Sequence, residues 1–485
     1  MTREGLGEYP RPLPFVPGLP RPFVRRRPSG FGATWLWLLL PAIVCAGQSP
    51  ATVRRIAWAD TGPIRPQLSA HRIDESTFAT FVERTHTENA QRVRLGDLDH
   101  LVFYVLQSRQ FTRLAPIEPA LSAKALVDAI DEKGRQAYLR GESAPATALP
   151  RAAAERIDAF VRVADLHGRD ERLRYFRDLV ASIYPSPPER HAGLIKEYFR
   201  VMRFVYEKEF VAQRANRPAD AVAELYRSRG LSTDTAVEAG FVVYNGIGMA
   251  AGVEPTRLLR RVLIVGPGLD LAPRTAFLED APPQSYQPWA VLDALTMFVP
   301  NDRGMVEIVA ADINPRVVSY LRRVRDTLLE LRLSTELRDG DGVTIRQDFR
   351  QYFGLLGGAI GVADSVRVQD GHLTKTVRVP PMWTRSISAE RLDIVTERLD
   401  GKPFDLIVAT NILPYFDDTQ LALALSNIAS MLAPGGLFLH NERRPIVGDF
   451  GEAVGLPFER SRTVTIADVR SGPPLFDSVF LHRKK

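Results

Sequence analysis

Cysteine is almost absent from this chain of 485 residues: Cys45 is the only one, and it falls in an apolar block near the start. Disulfides, zinc-thiolate clusters and cysteine nucleophiles are therefore excluded for everything that follows it. Long apolar runs are missing too. The block from Ala33 to Ala46 has about 14 residues, short of the roughly 20 that a spanning helix needs. Charge of one sign is not concentrated in the folded part. The net charge of +6 owes much to Arg3, Arg11, Arg21, Arg25, Arg26 and Arg27 in a proline-rich leader. No later run of Lys and Arg alternates with aromatics, so no nucleic-acid partner is expected. His86, His100 and His191 lack the mutual spacing that a zinc or iron site requires, and no metal is expected. No internal repeat is visible.

What is present begins with that leader. Residues 1 to about 32 carry prolines and arginines without hydrophobic periodicity, as a disordered segment does. The arginines, the short apolar block ending its core at Pro41 and the small residues Ala46 and Gly47 fit a secretory signal cleaved nearby, or an uncleaved anchor associating with a membrane through residues 33–46. A buried hydrophobic helix is the bland alternative. A lipoprotein signal at Cys45 is opposed by bulky Val44 before it. Residues 1–50 are thus set apart as leader.

Residues 51–254 read as a mainly α-helical N-terminal domain. STFATFVERTHTENA, DLDHLVFYVLQSRQF, AERIDAFVRVADL, ERLRYFRDLVASIY and GLIKEYFRVMRFVYEKEFVAQR space apolar residues three or four apart, with breaks at Gly168 and at Pro185, Pro187 and Pro188. The aromatics Phe78, Phe81, Phe103, Tyr104, Phe176, Tyr198, Phe199, Phe204 and Tyr206 either pack these helices together or line a ligand groove.

Residues 255–485 alternate strand and helix, the signature of a parallel sheet covered on its faces. RRVLIVG is a strand and YQPWAVLDALTMF a helix. VEIVAAD is the second strand, with PRVVSYLRRVRDTLLELR a helix after it. An insert over about 335–387 holds VRVQDGHLTKTVRV, with Asp-Gly at the turn of a hairpin. RLDIVTERL reads as a short strand with its exit and FDLIVATNIL as a buried strand. QLALALSNIASML is a helix, APGG a turn and LFLHNE a strand. RTVTIADV and FDSVFLHRK form a terminal antiparallel hairpin.

Four of these segments, with the one that follows the fourth, carry chemistry. In IVGPGLD, Gly266 and Gly268 remove Cβ where a ligand approaches the backbone, and Pro267 stiffens the turn. Asp312 in VAADINP ends the second strand, where a carboxylate either accepts two ribose hydroxyls in parallel or caps the helix beginning at Pro315. Taken in order with RLDIVTERL, FDLIVATNILPYF and MLAPGGLFLHNE, these motifs resemble the class I S-adenosylmethionine-dependent methyltransferases over the C-terminal half of the chain.

The resemblance implies an α/β fold with a Rossmann-like seven-stranded sheet and a terminal antiparallel hairpin, and S-adenosylmethionine as cofactor. It implies that Gly266, Pro267 and Gly268 flank the methionine and sugar, and that Asp312, with Ile313 beside it, holds the ribose. Asp393 would take the exocyclic amine of adenine while Ile394 packs on the ring; Asp348 in TIRQDF competes with Asp393 for that place. Asn411, beside the cofactor, and Tyr415 are the catalytic-region candidates after the fourth strand. His440 and Glu442 are candidate bases, and Asp270 is a turn cap. The about 45 residues between Gly266 and Asp312 exceed the roughly 20 of a simple dinucleotide fingerprint, which disfavours nicotinamide. The extra loop FLEDAPPQSYQ is placed to lie over the cofactor, and GLSTDTAVEAGFVVYNGI to form the approach to its cleft.

The expected activity is methyl transfer to an unknown acceptor, small molecule or protein, with the helical part as lid or adaptor. The alternatives are a non-catalytic scaffold of the same fold and an aminopropyl transferase resembling spermidine synthase, though no second acidic set for a polyamine is identified. Because S-adenosylmethionine is kept in the cytoplasm, an exported catalytic domain would conflict with its cofactor. The chain is expected to be membrane-anchored or exported if the leader acts, and cytoplasmic if it does not.

Overall fold

The computed structural model describes residues 52–164, 170–216, 218–273, 275–299, 306–340, 342–470 and 472–485. The leader, the apolar block with Cys45 and the break expected at Gly168 lie outside the described residues. From Ala51 onward the chain is one compact unit, so the helices read as an N-terminal domain lie within the same unit as the sheet. Among the described residues no helix is long and apolar enough to cross a membrane.

Among the described residues the frame is a mixed eight-stranded sheet. In chain order its strands are β1 (Arg261–Val265), β2 (Glu307–Asp312), β3 (Val343–Ile345), β4 (Ile387–Arg391), β5 (Phe404–Ala409), β6 (Leu432–His440), β7 (Phe458–Val469) and β8 (Leu475–Arg483). Across the sheet they run β3-β7-β8-β6-β5-β1-β2-β4. The strands from β6 to β4 are parallel, with Val262 opposite Ile308 and Ile407 opposite Leu263. The hairpin β7-β8 runs antiparallel, with β8 against β6. The seven-stranded expectation is exceeded by one: β3, from the insert, extends the edge by pairing with β7.

Strand side chains alternate between two cores, as the period of two demands. Val262, Ile264, Ile308 and Ala310 face one core, and Leu263, Val265, Val309 and Ala311 the other. Five helices matter for the site: α1 (Glu75–Gln107), α2 (Val237–Val253), α3 (Gln287–Phe298), α4 (Pro315–Val324) and α5 (Asp418–Met431). Helices α2 and α3 belong to the first core and α5 to the second.

Helix α1 begins where the Asp74 side chain accepts the Ser76 and Thr77 amides, an N-cap with the capping-box pattern. Its 33 residues merge the two helices expected there. Phe78, Val82 and Val93 enter one core while Leu98, Leu101 and Tyr104 enter the other. Gly96 lets this helix pass close against residues 230 and 231. A Cβ on Gly96 would overlap the Leu231 carbonyl, and one on Gly230 would overlap the Gly96 amide nitrogen, so two backbones touch where both lack side chains. Gly96→Ala is expected to lower stability by about 1–3 kcal/mol through overpacking, against a helix-propensity gain of about 1 kcal/mol. Thermal unfolding reads this; a variant melting at or above the wild type would refute the close approach.

Three other expectations are corrected. The helix after β2 stops at Val324, where Arg325 turns to extended backbone and Asp326 then takes a left-handed φ of 62°. The LLELR portion instead starts a strand, Leu329–Ser334, whose alternating leucines pair it with His372–Val379 in a second small sheet. That sheet contains the expected hairpin, with Asp370 and Gly371 both at positive φ. The third strand of the expected order is β4, ISAER, and RLDIVT is its exit loop; ERL then joins Asp400 in a strand paired with Thr52–Arg55. The APGG segment lies inside β6, where the register with β5 shifts, and is not a separate turn.

Candidate functional site

The loops leaving β1, β2, β4 and β5 converge at their carboxyl ends, the place where open parallel sheets bind ligands. Gly266 and Gly268 follow β1, Asp312 and Ile313 end β2, Asp393 and Ile394 follow β4, and Asn411 and Ile412 follow β5; all line one pocket. Its hollow measures about 740 Å³ including space open to solvent, with about 80 Å³ free within it. Pro267 is not among the lining residues.

A strap of residues 231–235 covers this pocket. It is tied to α1 by the Leu231 amide donating to Arg92 O (2.8 Å), and to the Gly-rich turn by Leu269 N–H to Thr233 O (2.7 Å) and Thr235 N–H to Leu269 O (2.9 Å). The segment before β1 was expected to form the approach to the cleft, and Leu231–Thr235 line it. The loop FLEDAPPQSYQ, expected over the pocket, lies elsewhere. Its Gln284 donates its amide to Asp270 Oδ1 and accepts the Arg332 amide through Oε1 (3.0 Å). The strap also explains the glycines. Gly268 has φ +67°, and a Cβ there would sit 2.5 Å from Thr233 O; a Cβ on Gly266 would sit 2.5 Å from Ile412 Cγ2. Both positions need glycine for protein packing before any ligand is considered.

Asp312 is not the helix cap. Asn314 is, its side chain accepting the Arg316 amide (2.9 Å). Asp312 receives one backbone N–H on each oxygen, from Asn314 (2.8 Å) and from Gly268 (3.2 Å). Each oxygen keeps a second lone pair. Burial, with Asp97 nearby as a lesser cause, pushes this carboxyl up to about 7. Asp97, on α1, is itself pushed up to about 6 by burial and held down in part by Arg316, Asn314 and Thr233. Asn314 Nδ2 donates to Asp97 (2.9 Å), so α1 and the end of β2 share one polar network.

Asp393 is also buried. Its carboxylate accepts Val395 N–H (3.1 Å), the Thr396 hydroxyl (2.8 Å) and Asn89 Nδ2 of α1 (3.2 and 3.3 Å), and His86 Nδ1 lies 3.4 Å away. Asp348, its rival, lies in the first turn of the helix Gln347–Leu355 and does not line the pocket.

Asn411 takes φ +61° and exchanges two hydrogen bonds with Asn441: its amide donates to Oδ1 (2.9 Å) and its Oδ1 accepts from Nδ2 (2.6 Å). Tyr415 packs edge-on to Tyr226, with ring centroids 5.5 Å apart. Burial pushes its phenol up to about 12, and a hydrogen bond to Ser232 pulls the other way. Asn411, Tyr415 and strap residues Ser232, Asp234 and Thr235 also line a second, larger cavity of about 2200 Å³ including space open to solvent, to which Phe103 and Phe204 contribute. The other aromatics of the helical part divide accordingly: Phe78, Tyr104, Phe176, Tyr198 and Phe199 are core.

The candidate bases do not reach either cavity. His440 is stacked on Phe438 and Phe480 and held neutral by burial, its pKa well below the usual value. Glu442 is paired with Arg444 (3.2 Å). Asp270 is no simple turn cap, since it forms a buried pair with Arg172 (3.3 Å). Among the described residues no cluster of three or more His, Cys, Asp or Glu is placed to hold a metal. Sequence reasoning missed Asn89, Asp97 and the roof formed by Ser232 and Thr233. The available signal was the α1 stripe Asn89, Val93, Gly96, His100, a 4-3-4 spacing that mixes polar and small residues into a buried face.

Fold and site together define an α/β protein with a ligand pocket at the carboxyl edge of a parallel sheet. No family model matches the sequence, and no curated protein matches it. Among solved structures, the chain is similar to the N-methyltransferase NodS from Bradyrhizobium japonicum WM9 in complex with S-adenosyl-L-homocysteine, at 12% identity over 54% of this chain and 96% of that one, with a TM-score of 0.28. It is also similar to magnesium protoporphyrin IX methyltransferase from Synechocystis PCC 6803 with bound SAM, at 9% identity, 51% and 81% coverage and a TM-score of 0.26. A TehB-like SAM-dependent methyltransferase from Corynebacterium glutamicum ATCC 13032 Kitasato is similar at 15% identity, 56% and 97% coverage and a TM-score of 0.24.

Proposed function

We propose that this chain is an S-adenosylmethionine-dependent methyltransferase, with the cofactor in the inner pocket and the methyl acceptor in the outer cavity. The observation that carries the reading is Asp312, at the end of β2 beside the Gly-rich turn. It is buried, anchored by two backbone amides, and still able to accept one ribose hydroxyl on each oxygen. Gly266, Pro267 and Gly268 form the turn on the sugar and methionine side, and Ile313 and Ile394 flank the adenine.

Methyl transfer is an in-line displacement in which an acceptor atom attacks the sulfonium methyl group and the thioether leaves. Much of its rate comes from holding the two partners in line in a dry site. Asn411 and Tyr415, in the wall common to both cavities, stand where that alignment is set. Tyr415 keeps its proton at neutral pH and serves as a hydrogen-bond donor, not a base. The leader sets localisation, anchored or exported if it acts.

Calorimetric titration of the full chain with S-adenosylhomocysteine tests the reading. Saturable binding at one site is expected, together with transfer of the methyl group from labelled S-adenosylmethionine to an acceptor in a cell extract. An absence of binding would sink the proposal; binding without transfer would leave a cofactor-dependent scaffold.

A further inference from the structure

Asn89 sits in the wall of the inner pocket with its side chain fully buried. Its amide nitrogen donates to both oxygens of Asp393, at 3.2 and 3.3 Å. A carboxylate only accepts, so this pairing fixes the amide: nitrogen toward Asp393, carbonyl away from it. That carbonyl oxygen, Asn89 Oδ1, is buried without any hydrogen-bond partner. Buried acceptors are normally satisfied, and one left unpaired on a residue that lines a ligand pocket points to a donor on the ligand.

Asp393 is in the opposite condition. Asn89, the Val395 amide and the Thr396 hydroxyl all donate to it, and His86 Nδ1 stands 3.4 Å from Oδ2. A carboxylate offers about four acceptor sites, so these donors leave no room for a ligand amine.

We infer that Asn89 Oδ1 is the acceptor that reads the exocyclic amine of the bound base, and that Asp393 acts through it as a positioning residue. The inference rests on the methyltransferase reading for the identity of the ligand. It makes the pocket selective for a 6-amino purine, because a 6-oxo purine would set a carbonyl against the Asn89 carbonyl and leave both unpaired. It also gives the helical part a share in cofactor recognition, since Asn89 lies on α1.

The test compares S-adenosylhomocysteine with its 6-oxo analogue, S-inosylhomocysteine, by calorimetry on the full chain. The wild type is expected to prefer the amine by at least about tenfold, the scale of a buried polar group left unpaired. Asn89→Leu is expected to shrink the preference to within about threefold while keeping some affinity for both ligands. Circular dichroism checks its fold; Asn89→Ser, which is smaller, carries the same comparison if the leucine variant unfolds. Asp393→Asn, which releases the Asn89 amide to rotate, is expected to narrow the ratio as well. An undiminished preference in a folded Asn89 variant would overturn the inference and return the amine to another acceptor. Binding of both ligands without preference in the wild type would overturn it too and leave the methyltransferase reading standing; binding of neither would overturn both.

Discussion

Asp312→Asn is expected to weaken S-adenosylhomocysteine binding by at least about tenfold while leaving a folded protein. The asparagine keeps one accepting oxygen, so one of the two ribose hydrogen bonds to the ionised carboxylate is lost outright; at about 1.5–3 kcal/mol that is about one to two orders of magnitude in affinity. The fold survives for a different reason. The asparagine oxygen still accepts the Asn314 amide, and removing a buried charge relieves the desolvation that raises this carboxyl's pKa. Part of that relief is offset, because the new amide nitrogen faces the Gly268 N–H, donor against donor. Calorimetry with a matched thermal melt separates the two effects. A folded variant that binds within about threefold of the wild type would remove Asp312 from the ribose site, since a lost charged hydrogen bond alone exceeds that.

The parts legible in the sequence are those written in local pattern. The run Val262–Val265, the buried strand before Asp312 and the run Phe404–Ala409 announce a parallel sheet because both faces are covered. Asp312 could be singled out because strand, turn and acid come in order. The structure removed its capping alternative by giving that role to Asn314. The glycines were recognised for an incomplete reason: packing against Thr233 and Ile412 already requires them.

What stayed hidden is the other half of the pocket. Asn89 and Asp393 are 304 residues apart, and no local periodicity encodes such a pairing. Helical spacing showed that α1 was amphipathic but not that its buried stripe would meet the ends of β2 and β4. The strap was placed near the cleft by its position before β1, yet its hydrogen bonds to Leu269 of the Gly-rich turn and its Gly96–Gly230 contact with α1 are visible only after folding. The LLELR misreading has a simpler cause. Leucines two and three apart satisfy both helix and strand periods, and the chain leaves the helix at an extended Arg325 followed by a left-handed Asp326.

The two buried acids lead to opposite pH dependences for stability and for binding. Burial raises Asp312 from 3.8 to about 7, and raises Asp97 from 3.8 to about 6 against the pull of Arg316, Asn314 and Thr233. Between about pH 4 and 7 the folded protein therefore holds protons that the unfolded chain has already released, and its stability falls as pH rises through that window. Above about 7 both states are ionised and the dependence from these groups ends. Ligand binding runs the other way. Ribose hydroxyls donate to the ionised Asp312, so below about pH 7 binding must first expel its proton, and affinity should drop by up to about tenfold per pH unit. The ligand-free protein is thus expected to melt at a lower temperature at pH 8 than at pH 5, while S-adenosylhomocysteine raises the melting temperature more at pH 8. Titrations at pH 6 in two buffers of different ionisation enthalpy should report release of about one proton on binding. Asp97 adds to the stability slope without contacting the ligand, so Asp97→Asn should flatten part of the melting profile and leave most of the proton release in place. Affinity that is flat from pH 5.5 to 8, with no proton released, would show that Asp312 is ionised throughout or plays no part in holding the sugar.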